Sequence, residues 1–201
     1  LSAANVYGGG TTINAGTLVL GASDRLLATG SLTLMGGTLD LAGFSQSTGA
    51  LLLENGSVLA GTLVASAMTV KNGWIGAALE GAGALTKTGS GTVTLAARNN
   101  YAGATTVNEG RLVLAVADAL LAGGQVNVDG GFLDLGTYNQ TVGQLALTGG
   151  TIENGVLTLN GFAVANVASG TAVVSASLAG STATLTKSGS GALLLSGDNS
   201  Y

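Results

Sequence analysis

The chain repeats itself at long range, which a domain built once around a single compact core has no reason to do. Shifted by 94 residues, Leu1-Ser2-Ala3-Ala4-Asn5-Val6-Tyr7 falls on Leu95-Ala96-Ala97-Arg98-Asn99-Asn100-Tyr101. The same shift lays Thr11 to Gly16 over Thr105 to Gly110, Gly37-Thr38-Leu39-Asp40-Leu41 over Gly131-Phe132-Leu133-Asp134-Leu135, and Phe44-Ser45-Gln46 over Tyr138-Asn139-Gln140. Further on the offset becomes 100, matching Leu85 to Gly91 with Leu185 to Gly191 and Tyr101 with Tyr201. Six residues are therefore inserted around 166–182, at a corner or loop that a repeating scaffold tolerates. This organisation predicts one continuous segment, residues 1–201, with long units at about 1–94 and 95–194 and a third beginning near 195.

Within each unit, short strands alternate with turns. Thr17-Leu18-Val19-Leu20, Ser31-Leu32-Thr33-Leu34, Thr92-Val93-Thr94-Leu95 and Val156-Leu157-Thr158-Leu159 place apolar residues at every second position, the pattern of a strand with one buried face. Gly36-Gly37, Asn55-Gly56, Asn72-Gly73, Gly123-Gly124 and Asn154-Gly155 punctuate them, and Gly and Asn tolerate the positive φ that tight corners need. Ile13, Leu32, Leu51 and Val70 follow one another at intervals of 19. Only Ser23 to Leu27 and Val116 to Leu121 offer a single helical turn each.

Short strands with one apolar face bury it when coils of about 19 to 22 residues stack, giving a parallel β-helix of roughly ten coils. At about 4.8 Å per coil the rod is on the order of 45 to 50 Å long. A sandwich does not explain the 94-residue repeat, and a propeller blade repeats at about 40 to 50 residues.

The ordered series Gly83-Ala84-Leu85-Thr86-Lys87-Thr88-Gly89-Ser90-Gly91-Thr92-Val93-Thr94-Leu95, then Asn99-Asn100-Tyr101 through Thr105-Thr106-Val107-Asn108-Glu109-Gly110-Arg111-Leu112, resembles the passenger-associated repeat of bacterial autotransporters. Asn127 to Leu135 and Asn139 to Gly143 resemble its next element, and Val64 to Glu80 depart from it. The resemblance implies a type V secreted protein of a Gram-negative bacterium. Its passenger would cross the outer membrane through a C-terminal β-barrel and fold outside as a right-handed single-stranded β-helix. Passengers of this kind are often adhesins, aggregation factors or toxins, and the repeat usually forms the stem.

Composition narrows the chemistry. With no His and no Cys, a zinc site would need carboxylates alone, and no cofactor-binding glycine motif opens a helix. Six Lys and Arg against ten Asp and Glu, scattered along the chain, leave no basic patch for nucleic acid. Lys87-Thr88-Gly89 lacks the Ser-x-x-Lys partner of penicillin-binding enzymes, so Lys87 and its equivalent Lys187 are read as outward charges beside a turn. Asp40 and Asp134 sit a whole unit apart, about 24 Å, too far for paired-carboxylate chemistry.

The chain is therefore expected to be non-catalytic, with no cofactor and no metal. Tyr7, Tyr101 and Tyr201, with Asn14, Asn108, Lys87 and Lys187, are expected to be structural repeat positions. Trp74 has no repeat partner; packing is the favoured reading, and if exposed it should lie on a loop and form a contact surface with Asn72 and Lys71. The expected partners are neighbouring coils, the outer-membrane barrel, a second copy pairing laterally, and a host surface ligand. The expected role is an extracellular stem supporting an adhesive or virulence function. The alternative is a segment that is itself adhesive or self-associating.

Overall fold

The structure is a computed structural model that describes residues 1–5 and 7–201. It is a parallel β-solenoid of ten coils, with no helix among the described residues. Every strand pairing is parallel, each strand bonding to its counterpart one coil away.

Three sides make up each coil. One side is a sheet whose ten-strand path runs from Thr11–Ile13 to Thr184–Ser188, and a second carries ten strands from Thr17–Val19 to Ala192–Leu195. The third side is a separate sheet only late in the chain, at Asn139–Val142, Val156–Leu159 and Ser177–Ala179. Earlier it runs into the first sheet through two nine-residue strands, Ser45–Leu53 and Thr62–Val70. With no turn between the two sides the coil shortens, and Leu51 pairs with Met68, 17 residues on.

Coil length is thus variable, and the column drawn from 19-residue spacing mixes two ladders. Leu32 does pair with Leu51, but Ile13 pairs with Leu34, and Val70 with Leu53. The first coil is 21 residues long, which displaces the lower end of the column, and the 17-residue coil displaces the upper end. Thr151 to Val173 takes 22 residues, as does Phe162 to Thr184, where Ser57 to Trp74 takes 17. Most of the difference lies in the turn between the strands Phe162–Asn166 and Thr171–Val174.

Period-2 alternation sends Leu32, Leu34, Leu51, Leu53, Met68, Val70, Val107 and Val128 inward from the first sheet and Leu39, Val58, Ile75, Leu95, Leu112 and Leu133 from the second. All are buried in one continuous cluster. Burying a side chain of this size contributes roughly 1.5 to 3 kcal/mol, and because each touches the coils on either side, the stabilisation is shared between neighbours.

Ser23 to Leu27 and Val116 to Leu121 are turns, not helical turns. Asp24 and Asp118 sit at φ 51° and 50°, in the left-handed region that breaks a right-handed helix. Their carboxylates accept the amides of Ser47 and Thr141 one coil on. A buried amide of the following coil holds each turn. Gln46 accepts from Leu26 N at 2.9 Å and donates to Leu26 O at 3.1 Å, and Gln140 does the same to Leu120. A primary amide here reproduces the donor and acceptor that a strand would have offered. Beneath the second turn, Asn99 accepts from Leu79 N and donates to Ala97 O and Ala119 O, tying three coils together.

Candidate functional site

The expected repeat positions divide into interior and exterior. Lys87 contradicts the outward reading: it is fully buried. It ends the strand Leu85–Lys87, two residues after inward Leu85, and pairs with Val70 on one side and Val107 on the other. The same alternation that buries Leu85 therefore buries the lysine stem within an apolar column. Its Nζ turns into the corner and donates to Thr88 O at 2.8 Å, Gly89 O at 2.7 Å and Glu109 O at 3.0 Å, so all three protons are used. Burial pushes its pKa below the ordinary lysine value, with the Glu109 carboxylate opposing that shift. In the last coil, Lys187 pairs with Ala165 and repeats the bonds to Ser188 O and Gly189 O, but it is exposed.

Tyr101 is buried and its hydroxyl lies 2.6 Å from Thr105 Oγ1; Tyr7 makes the same bond to Thr11 at 2.8 Å from the exposed first coil. Tyr201 is also exposed, as are Asn14 and Asn108 at the corner between the first two sheets. Burial raises the pKa of the Tyr101 phenol well above the ordinary tyrosine value, the Thr105 bond opposing. An unfolded chain releases that proton from about pH 10 and the folded chain holds it, so folding stability should fall by about 1.4 kcal/mol per pH unit above that point. Urea midpoints measured between pH 9 and 11.5 should decline more steeply for the parent chain than for Tyr101→Phe.

Trp74 is not packed away, nor is it on a loop. It is the middle residue of the strand Gly73–Ile75, 44% exposed, because inward Ile75 forces its neighbour outward onto the second sheet's face. Ser57 and Thr94 flank it in register. Asn72 lies just before, at the corner, donating to Asn55 Oδ1 and accepting from Thr92 N. Lys71 at the same corner forms an ion pair with Glu54 at 2.7 Å. Asn72 and Trp74 are thus brought together, whereas the Lys71 charge is engaged by Glu54.

Farther along the second sheet, sequence reasoning missed an outward cluster. Arg111 binds Asp134 at 2.7 Å and also Glu153, and its guanidinium lies 5.0 Å from the centre of the Phe132 ring. The Glu153 bond leads in raising the Arg111 pKa. Burial works against ionisation of Asp134, but bonds from Asn154, the Gly136 amide and Arg111 hold its carboxyl below the ordinary value. The signal was the registered series Arg111, Phe132, Thr151 beside Val113, Asp134, Glu153, visible only once coil lengths are known. Asp40 and Asp134 each accept an amide two residues on, from Ala42 and Gly136, so both serve as turn acceptors.

The passenger-associated-transport-repeat family matches residues 1–20, 85–114 and 185–201. In those three stretches the sequence is similar to autotransporter passenger repeats. The matched stretch 85–114 holds Lys87, Asn99, Tyr101, Thr105 and Glu109, which supply interior bonds, and also Arg111 at the centre of the outward cluster, while Trp74, Phe132, Asp134 and Glu153 lie outside the matched residues. The adhesin BmaC autotransporter of Brucella suis biovar 1 (strain 1330) is 34% identical over 116 residues, 57% of this chain and 3% of that protein. The chain thus spans a small fraction of that relative's length. No solved structure matches.

Proposed function

We propose that this passenger repeat segment is a non-catalytic extracellular stem, displayed at a Gram-negative cell surface or secreted, that supports an adhesive function carried by a longer autotransporter. The supporting observation is the continuous buried cluster that runs from Ile13 to Leu178, braced at equivalent places in each unit by Gln46 and Gln140. Such a rod transmits length and direction, and about 45 Å of it separates what lies at its two ends. In the full-length protein a C-terminal outer-membrane β-barrel would anchor it. The likeness to an adhesin autotransporter favours an adhesive cargo over an enzymatic one.

The exposure of Trp74 supports a second reading, in which the segment itself makes contact with a host surface ligand through Trp74, Asn72 and Lys71. Lateral pairing with a second copy belongs to the same class. The first sheet's outward register, Thr69, Thr86, Thr106, Asn127 and Ala146, is free of charge and would not oppose it.

The test is adhesion and cell-to-cell aggregation by bacteria displaying the full passenger, against a variant whose segment is exchanged for an unrelated β-helix of equal length. Unchanged activity at equal display is the result expected of a stem. Loss of adhesion or aggregation at equal display would move the contact surface into this segment.

A further inference from the structure

The geometry points to Trp74 as the centre of a platform that binds neutral carbohydrate, a pyranose ring stacking on the indole. This assignment rests on the second reading above, that Trp74 is a contact surface, and gives that surface a ligand class.

The first observation is the attitude of the ring. A Cβ added at Gly76 would lie 3.0 Å from Trp74 Nε1 and 3.6 Å from Cδ1. The indole therefore leans along the strand over a residue that has no side chain, while 44% of Trp74 remains exposed. Gly76 is not at positive φ, so its backbone does not require glycine, and the absent side chain serves the ring's position. An aromatic face laid on a flat sheet and open to solvent suits the axial C–H face of a sugar, which is apolar and itself nearly flat.

The second observation is what surrounds the ring. Thr94 is its register neighbour in the next coil, Thr92 stands one place to the side, and Asn72 and Asn55 form a hydrogen-bonded pair at the corner. Hydroxyls and primary amides both donate and accept, matching sugar hydroxyls, which do the same. None of these groups is charged. Lys71 and Glu54 at the same corner neutralise each other at 2.7 Å, and Arg111, the register neighbour of Thr92, is held by Asp134 and Glu153. An anionic glycan would find no free cation here, and a purely apolar partner would leave the Thr92 and Thr94 hydroxyls without bonds. Neutral sugar meets both conditions.

Trp74 is the chain's one tryptophan, so its fluorescence reports on this place alone. The purified chain is titrated with cellohexaose, maltohexaose and mannohexaose, neutral hexasaccharides, and with a heparin hexasaccharide as the anionic comparison. Calorimetry measures the same binding for Trp74→Ala and Gly76→Val, with circular dichroism melting as the fold control. At least one neutral hexasaccharide should shift the emission saturably. Both variants should bind it roughly tenfold more weakly or worse at unchanged melting temperature, the size of a lost stacking contact. Gly76→Val retains the indole and removes only the bed beneath it.

No saturable change with any of the three, equal binding by Trp74→Ala, or binding of heparin alone would each overturn the assignment. Bacteria displaying Trp74→Ala separate this result from the broader reading. Lost adhesion without a response to neutral sugar removes the carbohydrate and keeps the contact surface. A sugar response with unchanged adhesion keeps the platform and removes its adhesive role.

Discussion

Replacing Lys87 with methionine should destabilise the chain by about 3 kcal/mol, whereas the same change at Lys187 should move stability by less than about 0.5 kcal/mol. Methionine preserves most of the aliphatic stem between Val70 and Val107, so the difference isolates the amine. At residue 87 the ammonium satisfies Thr88 O, Gly89 O and Glu109 O from a fully buried position. Its loss removes a charged donor from three half-buried bonds, and a buried acceptor without a donor costs about 1 to 3 kcal/mol. Two of those carbonyls belong to the lysine's own corner and the third to the next coil, so the bond to Glu109 joins coil to coil. Lys187 makes the first two bonds in the open, where water can replace it. Urea unfolding followed by circular dichroism tests the pair. Equal effects at the two sites would show that burial of the amine contributes nothing and that the outward reading was adequate.

The period-2 strands, the glycine corners and the parallel stacking were legible because each depends on residues close in sequence. Coil register was not. It depends on how many residues each corner consumes, and the step varies from 16 between Thr62 and Ala78 to 22 between Thr151 and Val173. Every inference that crossed coils at fixed spacing was exposed to that error, as the Ile13 and Val70 assignments show.

Lys87 and Trp74 were misread for a different reason. Residue type outweighed alternation: a lysine was sent outward and a tryptophan inward, although Leu85-Thr86-Lys87 and Gly73-Trp74-Ile75 state the opposite when the strand pattern is followed strictly. The amides of Gln46, Asn99 and Gln140 gave a fainter signal. Each recurs at an equivalent place in the long units, yet which backbone groups it serves follows from turns that only the fold brings within reach.

The corner glycines carry the second large effect. Gly56→Ala should destabilise the chain by about 4 kcal/mol, combining roughly 1 to 2 kcal/mol for the left-handed backbone with about 1 to 3 for overpacking. Gly56 sits at φ 123°, and a Cβ there would stand 2.1 Å from Gly37 O in the preceding coil. That oxygen cannot retreat without loss, since it accepts from Ser57 N at 3.1 Å. Gly73 repeats the arrangement one coil higher, at φ 135°, with its added Cβ 2.2 Å from Gly56 O, which accepts from Trp74 N. The corner is therefore a stack of backbones in close approach, and a side chain at one level pushes against the next. Two other glycines separate the contributions. Gly43 has φ 84° and nothing within 4 Å of an added Cβ, so Gly43→Ala should show the backbone contribution alone, about 1 to 2 kcal/mol. Gly8, also in open space and not at positive φ, should accept alanine with a change near zero. Melting and urea curves for the three variants should rank Gly56, Gly43, Gly8. If Gly56→Ala costs no more than Gly43→Ala, the coils can part at this corner without penalty, and the rigidity on which the stem reading depends would be lost there first.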